Sequence, residues 1–213
     1  MPFDTKDDYD KYVDGESHDD GVRNFLAARN IKLPEGADDD SPDAHTVKGL
    51  GNRKSDFVLK VMKNEGVKVF DGAVALVNKL HQHGHKVAVV SASENTKTAL
   101  ETAGLVDMFD AIVDGHVVKD LHLAEKRARQ LSSRSEGPRR RAQSRTIVVE
   151  DALAGVEAGQ AGHFGLVIGV NHRDAPDSHD YADELRAHGA NVVVTSLTEV
   201  TTNGSLFTCR KSI

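Results

Sequence analysis

The sequence predicts an α/β protein: a doubly wound, mostly parallel sheet with a small helical domain ahead of it. Three observations carry this. Four short apolar runs rich in Val and Ile recur in the C-terminal two-thirds, at 87–90, 146–149, 166–170 and 192–194. Runs this short and this apolar are how strands buried on both faces of a parallel sheet read. Helix-like stretches separate them, and strands alternating with helices of that length imply a layered α/β structure. The first 66 residues contain no such run.

The elements follow in order. In the strand-free segment, 19–28 reads as a helix with Val22, Phe25 and Leu26 inward, and 56–63 as another with Phe57, Val58, Val61 and Met62 apolar. A loop rich in Pro, Gly, Asp and Ser joins them at 34–43. The expected division is a helical domain at 1–66, an α/β core at 67–200 and a frayed tail at 201–213. Within the core, 71–83 carries Val74, Leu76, Val77 and Leu80 on one face, and further helices are expected at 94–103, 152–161 and 176–188. The stretch 125–145 is anomalous. It holds Lys126, Arg127, Arg129, Arg134, Arg139, Arg140, Arg141 and Arg145, with Leu131 almost alone as an apolar residue.

Composition excludes several classes. The chain has 213 residues, of which 38% are hydrophobic and 28% charged, with a formal charge of −6. That balance argues against a general nucleic-acid binder. No apolar run approaches the roughly 18 residues of a membrane span. The acidic start, Met1 to Asp8, lacks the apolar core of a secretory signal. The single cysteine, Cys209, allows no internal disulfide, and a reducing cytoplasm fits it.

In doubly wound sheets, ligands bind beyond the carboxyl ends of the strands. The first run ends in Ser91-Ala92-Ser93-Glu94-Asn95 before a helix. A hydroxyl with free amides at that place makes a phosphate cradle, although a serine there also serves as an ordinary helix cap. The second run ends in Glu150-Asp151 before an Ala/Gly-rich helix. Adjacent carboxylates at a buried strand end are costly unless paired or bound to a cation. Their hard oxygens suit Mg²⁺; the plainer alternative is that Asp151 caps the helix and Glu150 is solvated. His81, His83 and His85 alternate, but Gly84 among them reads as a helix C-cap with the histidines near the negative end of the helix dipole.

Together these residues resemble the later motifs of the haloacid dehalogenase superfamily: a strand ending in Ser, a Lys in the next crossover, and Glu-Asp before an Ala/Gly-rich helix. The stretch 146–159 (TIVVEDALAGVEAG) resembles its phosphatase and phosphomutase branch. The stretch 87–96 (VAVVSASENT) is similar to the β-phosphoglucomutase-like group, as are Tyr12-Val13-Asp14-Gly15, Asp20-Gly21-Val22-Arg23 and Gly49-Leu50-Gly51-Asn52-Arg53-Lys54. The resemblance implies covalent catalysis through an aspartate nucleophile, with a second aspartate two positions later as general acid and base. It implies Mg²⁺ to neutralise the transferring phosphate. It implies that Ser91 and the Ala92 amide hold the phosphate, that Lys126 pairs with nucleophile and phosphate, and that Glu150 and Asp151 anchor the metal. Lys54, Ser93 and Asn95 fall where related mutases hold the sugar or a second phosphate. The helical domain would be a cap that closes over a small phosphorylated metabolite.

Three departures qualify this. No apolar strand ending in Asp-x-Asp-Gly occurs before the cap, so the nucleophile and its central strand are expected to be missing, with poor stability as a result. Asp8-Tyr9-Asp10 and Asp38-Asp39-Asp40 have the spacing, but neither follows an apolar run or precedes Gly. The Arg-rich stretch replaces the packed crossover helix; a frameshift explains it better than a nucleic-acid patch, and resequencing decides between them. Finally, Glu16-Ser17-His18 and Glu94 stand where relatives often carry basic residues, which makes phosphatase chemistry as plausible as mutase chemistry. A catalytically impaired enzyme, a phosphate-binding pseudo-phosphatase and a truncated gene product all remain readings of this chain.

Overall fold

The computed structural model describes residues 7–13, 16, 18–116, 143–173, 178–203 and 206–209. In chain order its elements are α1 (Asp7–Tyr12), α2 (His18–Ala28), α3 (Val47–Glu65), α4 (Asp71–Gln82), β1 (Ala88–Val90), α5 (Thr96–Thr102), β2 (Ala111–Val113), β3 (Ile147–Glu150), α6 (Leu153–Ala161), β4 (Leu166–Val170), α7 (Ser178–Ala187), β5 (Val192–Val194), β6 (Val200–Asn203) and β7 (Leu206–Cys209). The class is α/β with parallel strands. β1 pairs with β2, β3 with β4, and β4 with β5, all in parallel. The chain divides into two compact units, Met1–Lys68 with Ala88–Leu121, and Val69–Val87 with His122–Ile213.

In the first unit, α3 begins at Val47 rather than at Asp56. Thr46 is extended and its Oγ1 accepts the Gly49 N–H at 2.9 Å, an N-cap that fixes the helix start. The early turns bury Gly49 and Gly51 beside Val47, and glycines leave little hydrophobic period to read. A Cβ at Gly51 would meet His18 Cε1 at 2.6 Å. α3 stops at Glu65, followed by Gly66 with φ 77°. Ion pairs do much of the joining: Arg29 to Asp8 at 2.5 Å, Arg23 to Asp20 at 2.5 Å and to Glu35, and Lys48 to Asp19 and, at 2.6 Å, to Asp38. His18 adds Nδ1 to Asp19 at 3.1 Å and Nε2 to the Gly51 carbonyl at 2.6 Å.

The second unit is built on an apolar sheet. Along β4, residues 167–170 are buried, as a strand covered on both faces must be. Ile168 and Val170 pack with Leu76, Val194 and Val200. Val167 packs on the other side with Val156, Tyr181 and Leu185. α4 ends as the sequence suggests: Gly84, at φ 76°, donates to the His81 carbonyl at 2.9 Å, and His85 donates to the Leu80 carbonyl at 3.0 Å. These two bonds are a Schellman cap, and they account for this histidine segment structurally.

One strand is added to those the sequence singles out, and one expectation is corrected. β2 was not visible as a strand, because Ala111-Ile112-Val113 is too short to stand out; its pairing with β1 reveals it. The tail does not fray from residue 201 onward: β6 and β7 form an antiparallel pair with Asn203 opposite Leu206. The signal was present, since Asn203-Gly204 between a Thr-rich and an apolar run is a strong hairpin cue.

Candidate active site

The carboxyl end of β1 opens into the loop that the sequence singles out. Ser91 continues the ladder, its N–H donating to the Val113 carbonyl at 2.9 Å. The Ser93 N–H donates to Ser91 Oγ and the Asn95 N–H to Ser93 Oγ, both at 3.2 Å. The Ser93 carbonyl accepts from Gly115 N–H at 3.1 Å and from Thr96 Oγ1 at 2.7 Å. The serine hydroxyls therefore shape turns rather than cap α5, whose N-cap is Asn95 with no side-chain cap bond. Among the described residues the Ala92 N–H makes no hydrogen bond, which leaves it as a donor for a ligand. Sequence reasoning anticipated Ser91, Ala92, Ser93 and Asn95 on one loop. It missed the other wall, the buried Asp114 and Gly115 at the end of β2. The available cue was Asp-Gly directly after a short apolar run.

Lys54 lies on α3, in the same unit. Its side chain is exposed, yet loss of solvent around the ammonium holds its pKa below the ordinary lysine value. It makes no hydrogen bond to the loop among the described residues. Lys126 lies outside the described residues, as does most of the Arg-rich stretch around it.

The carboxyl end of β3 carries Glu150 and Asp151. Glu150 Oε1 accepts the Ala152 N–H at 3.0 Å. Its carboxyl group folds across Gly155, where a Cβ would lie 2.3 Å from Glu150 Cδ; only glycine admits the carboxylate there. Asp151 is exposed and is not the helix cap, since Ala152 takes that position without a side-chain bond. Its main chain is fixed from outside: Tyr181 Oη donates to the Asp151 carbonyl at 2.5 Å, and the Arg173 guanidinium covers the Tyr181 ring at 3.5 Å. One seated carboxylate and one turned to solvent give hard oxygen donors of the number that Mg²⁺ takes from a protein. The residues fit that ion.

Neither Asp-x-Asp run ends a strand. Asp8 and Asp10 lie on α1, where Asp8 pairs with Arg29. Asp38 pairs with Lys48, and Asp40 accepts from Thr46 Oγ1 at 2.6 Å. Asp8, Asp38 and Asp40 are thus engaged in holding helices.

Comparison with known proteins agrees with this arrangement. Residues 39–167 match the family model for haloacid dehalogenase-like hydrolases. The β-phosphoglucomutase of Mycobacterium bovis is 42% identical over 200 residues, which is 94% of this chain and 75% of that protein. A trehalose-phosphate phosphatase of Mycobacterium leprae is 32% identical over 130 residues, covering 61% of this chain and 28% of the relative. Among solved structures, a β-phosphoglucomutase from Clostridium difficile superposes with a TM-score of 0.64 at 19% identity, over 93% of this chain and 78% of that one. With its strand-end motifs, its parallel strands and these relatives, the chain belongs to the haloacid dehalogenase-like hydrolase family, in its β-phosphoglucomutase-like group.

Proposed function

We propose that this protein binds small phosphorylated metabolites, sugar phosphates foremost, and handles their phosphate with Mg²⁺ in the cytoplasm. The observation that carries this is the seating of Glu150 over Gly155 beside an outward Asp151, on a strand end whose motif matches the family. Glu150 and Asp151 hold the ion. When bound, it supplies charge neutralisation at the transferring phosphate. The Ala92 N–H and the Ser91 hydroxyl hold phosphate oxygens, a charge-assisted arrangement. Lys54, Ser93 and Asn95 meet the rest of the substrate, and Lys126 adds positive charge beside the phosphate. The segment 1–66 acts as a cap over the 67–200 core and excludes water. A phosphate dianion close to Lys54 raises its lowered pKa and favours the ammonium form.

One observation favours binding over rapid turnover. The 213 residues contain no Asp-x-Asp-Gly, and Asp8, Asp38 and Asp40 of the two Asp-x-Asp runs are engaged elsewhere. The chain by itself is then a weak catalyst or a pseudo-phosphatase that keeps its ligand sites.

The test is hydrolysis of p-nitrophenyl phosphate and a panel of sugar phosphates by this chain, with and without Mg²⁺, alongside calorimetric Mg²⁺ binding. The expected result is little or no turnover, measurable Mg²⁺ binding, and at least about tenfold weaker binding in Asp151→Asn. Mg²⁺-dependent turnover abolished by Asp151→Asn overturns the impairment, because another carboxylate must then be the nucleophile. Mg²⁺ binding unchanged by the substitution overturns the metal assignment.

A further inference from the structure

We infer that Gly115 is the positioning residue of the phosphate loop, setting the Ala92 peptide where its N–H can meet an anion; this rests on the phosphate-binding reading of that loop.

The β2 end grips the loop twice. Val113 accepts the Ser91 N–H at 2.9 Å, and the Gly115 N–H donates to the Ser93 carbonyl at 3.1 Å. Ala92 is thus the residue held between two anchors, and its N–H is the one these anchors leave available. Gly115 is buried directly against it. A Cβ at 115 would stand 2.6 Å from the Ala92 carbonyl oxygen, 3.0 Å from the Glu94 main-chain nitrogen and 2.9 Å from Glu94 Cγ. Two of these three atoms are backbone and cannot swing aside as a side chain does.

Conformation is not the reason for glycine here. Among the described residues the positive-φ glycines are Gly36, Gly66, Gly84, Gly104 and Gly189, and Gly115 is not one of them. An alanine adopts the backbone of residue 115 without strain, so what glycine alone provides is room. Pressure on the Ala92 carbonyl, with Ser91 and Ser93 pinned, has one outlet: rotation of the peptides at 92. That rotation turns the available N–H and leaves the fold around it intact.

Gly115→Ala separates this role from a structural one. The Ala92 amide of the ¹⁵N-labelled chain is followed by NMR while inorganic phosphate is added in the presence of Mg²⁺. In the unaltered chain the Ala92 signal shifts saturably. In Gly115→Ala the apparent affinity falls by about tenfold or more, the scale of losing one hydrogen bond to a charged group. The thermal midpoint stays within about 2 °C. Because Glu94 Cγ is also close, the substitution is repeated in a Glu94→Ala background. The same fold loss relative to Glu94→Ala alone, with a displaced Ala92 amide signal, places the effect in the loop main chain; recovery assigns it to the Glu94 side chain and overturns the inference. Equal phosphate affinity in Gly115→Ala and the unaltered chain also overturns it. Should Gly115→Ala not fold, hydrogen exchange of the unaltered chain decides: phosphate must slow exchange of the Gly115 N–H, and an unchanged rate refutes the coupling. Absence of any phosphate-induced shift in the unaltered chain defeats the phosphate-binding reading itself and this inference with it.

Discussion

The two units of this molecule are held by different physics. Among the described residues, the buried apolar side chains of the first are Leu26 and Val47, whereas the second buries Val156, Val167, Ile168, Val170, Leu185 and Val194 with others around them. The first unit instead gathers Arg23, Arg29 and Lys48 against Asp8, Asp19, Asp20, Glu35 and Asp38. The same division appears strand by strand. β4 is flanked by β3 and β5, and Ile168 is 0% exposed; β1 has β2 as its one strand neighbour among the described residues, and Val90 is 68% exposed. Two similar apolar runs meet opposite fates because burial of a parallel strand needs neighbours on both edges and cover on both faces. A unit stabilised by apolar area resists salt. A unit stabilised by partly exposed ion pairs weakens as salt screens them and holds less firmly overall.

The largest expected effect lies in the sheet. Ile168→Ala costs about 2–5 kcal/mol in urea unfolding, while Val90→Ala costs less than about 0.5 kcal/mol. Equal costs at the two positions break the contrast outright. Next comes Lys48, 15% exposed and paired to Asp19 and Asp38. Burial lowers its pKa, but hydrogen bonds to Asp19 and Asp38 prevail and the net shift is upward. A base whose pKa is raised on folding contributes stability that is complete below its unfolded value, about 10.4, and is lost as pH rises through the higher folded value. Lys48→Met therefore costs roughly 2 kcal/mol at neutral pH, and the difference from the unaltered chain shrinks above pH ~10. Denaturation followed at pH 7 and pH 11 checks the sign; a cost that grows with pH refutes the pairing as a stabiliser. The smallest effect sharpens the site. Tyr181→Phe removes one hydrogen bond to the Asp151 carbonyl, costs about 1 kcal/mol in stability, and lowers Mg²⁺ affinity a few-fold through a looser strand end.

Much of this was legible in the residues. Parallel strands announce themselves because both faces are apolar, and each of the four runs identified in the sequence became a strand. Glu150-Asp151 and Ser91-Ala92 stand at the carboxyl ends of β3 and β1, as the apolar runs before them implied. What escaped reading did so for particular reasons. The start of α3 packs glycines, which carry no hydrophobic period. β2 is three residues long and acquires meaning only from its register with β1. The β6–β7 pair was misread as a tail although its turn residues stood in plain view.

By itself, then, the sequence determined the fold class, the strand-end motifs and the type of chemistry, because these depend on local composition and short spacing. It also determined that no Asp-x-Asp-Gly is written in these residues. Tertiary structure alone decided which loop amide is left for a ligand, that Glu150 rests over Gly155, that Gly115 crowds Ala92, and that one unit relies on charge while the other relies on an apolar core. Those outcomes depend on distances between residues far apart in the chain, and such distances exist only once the strands have paired.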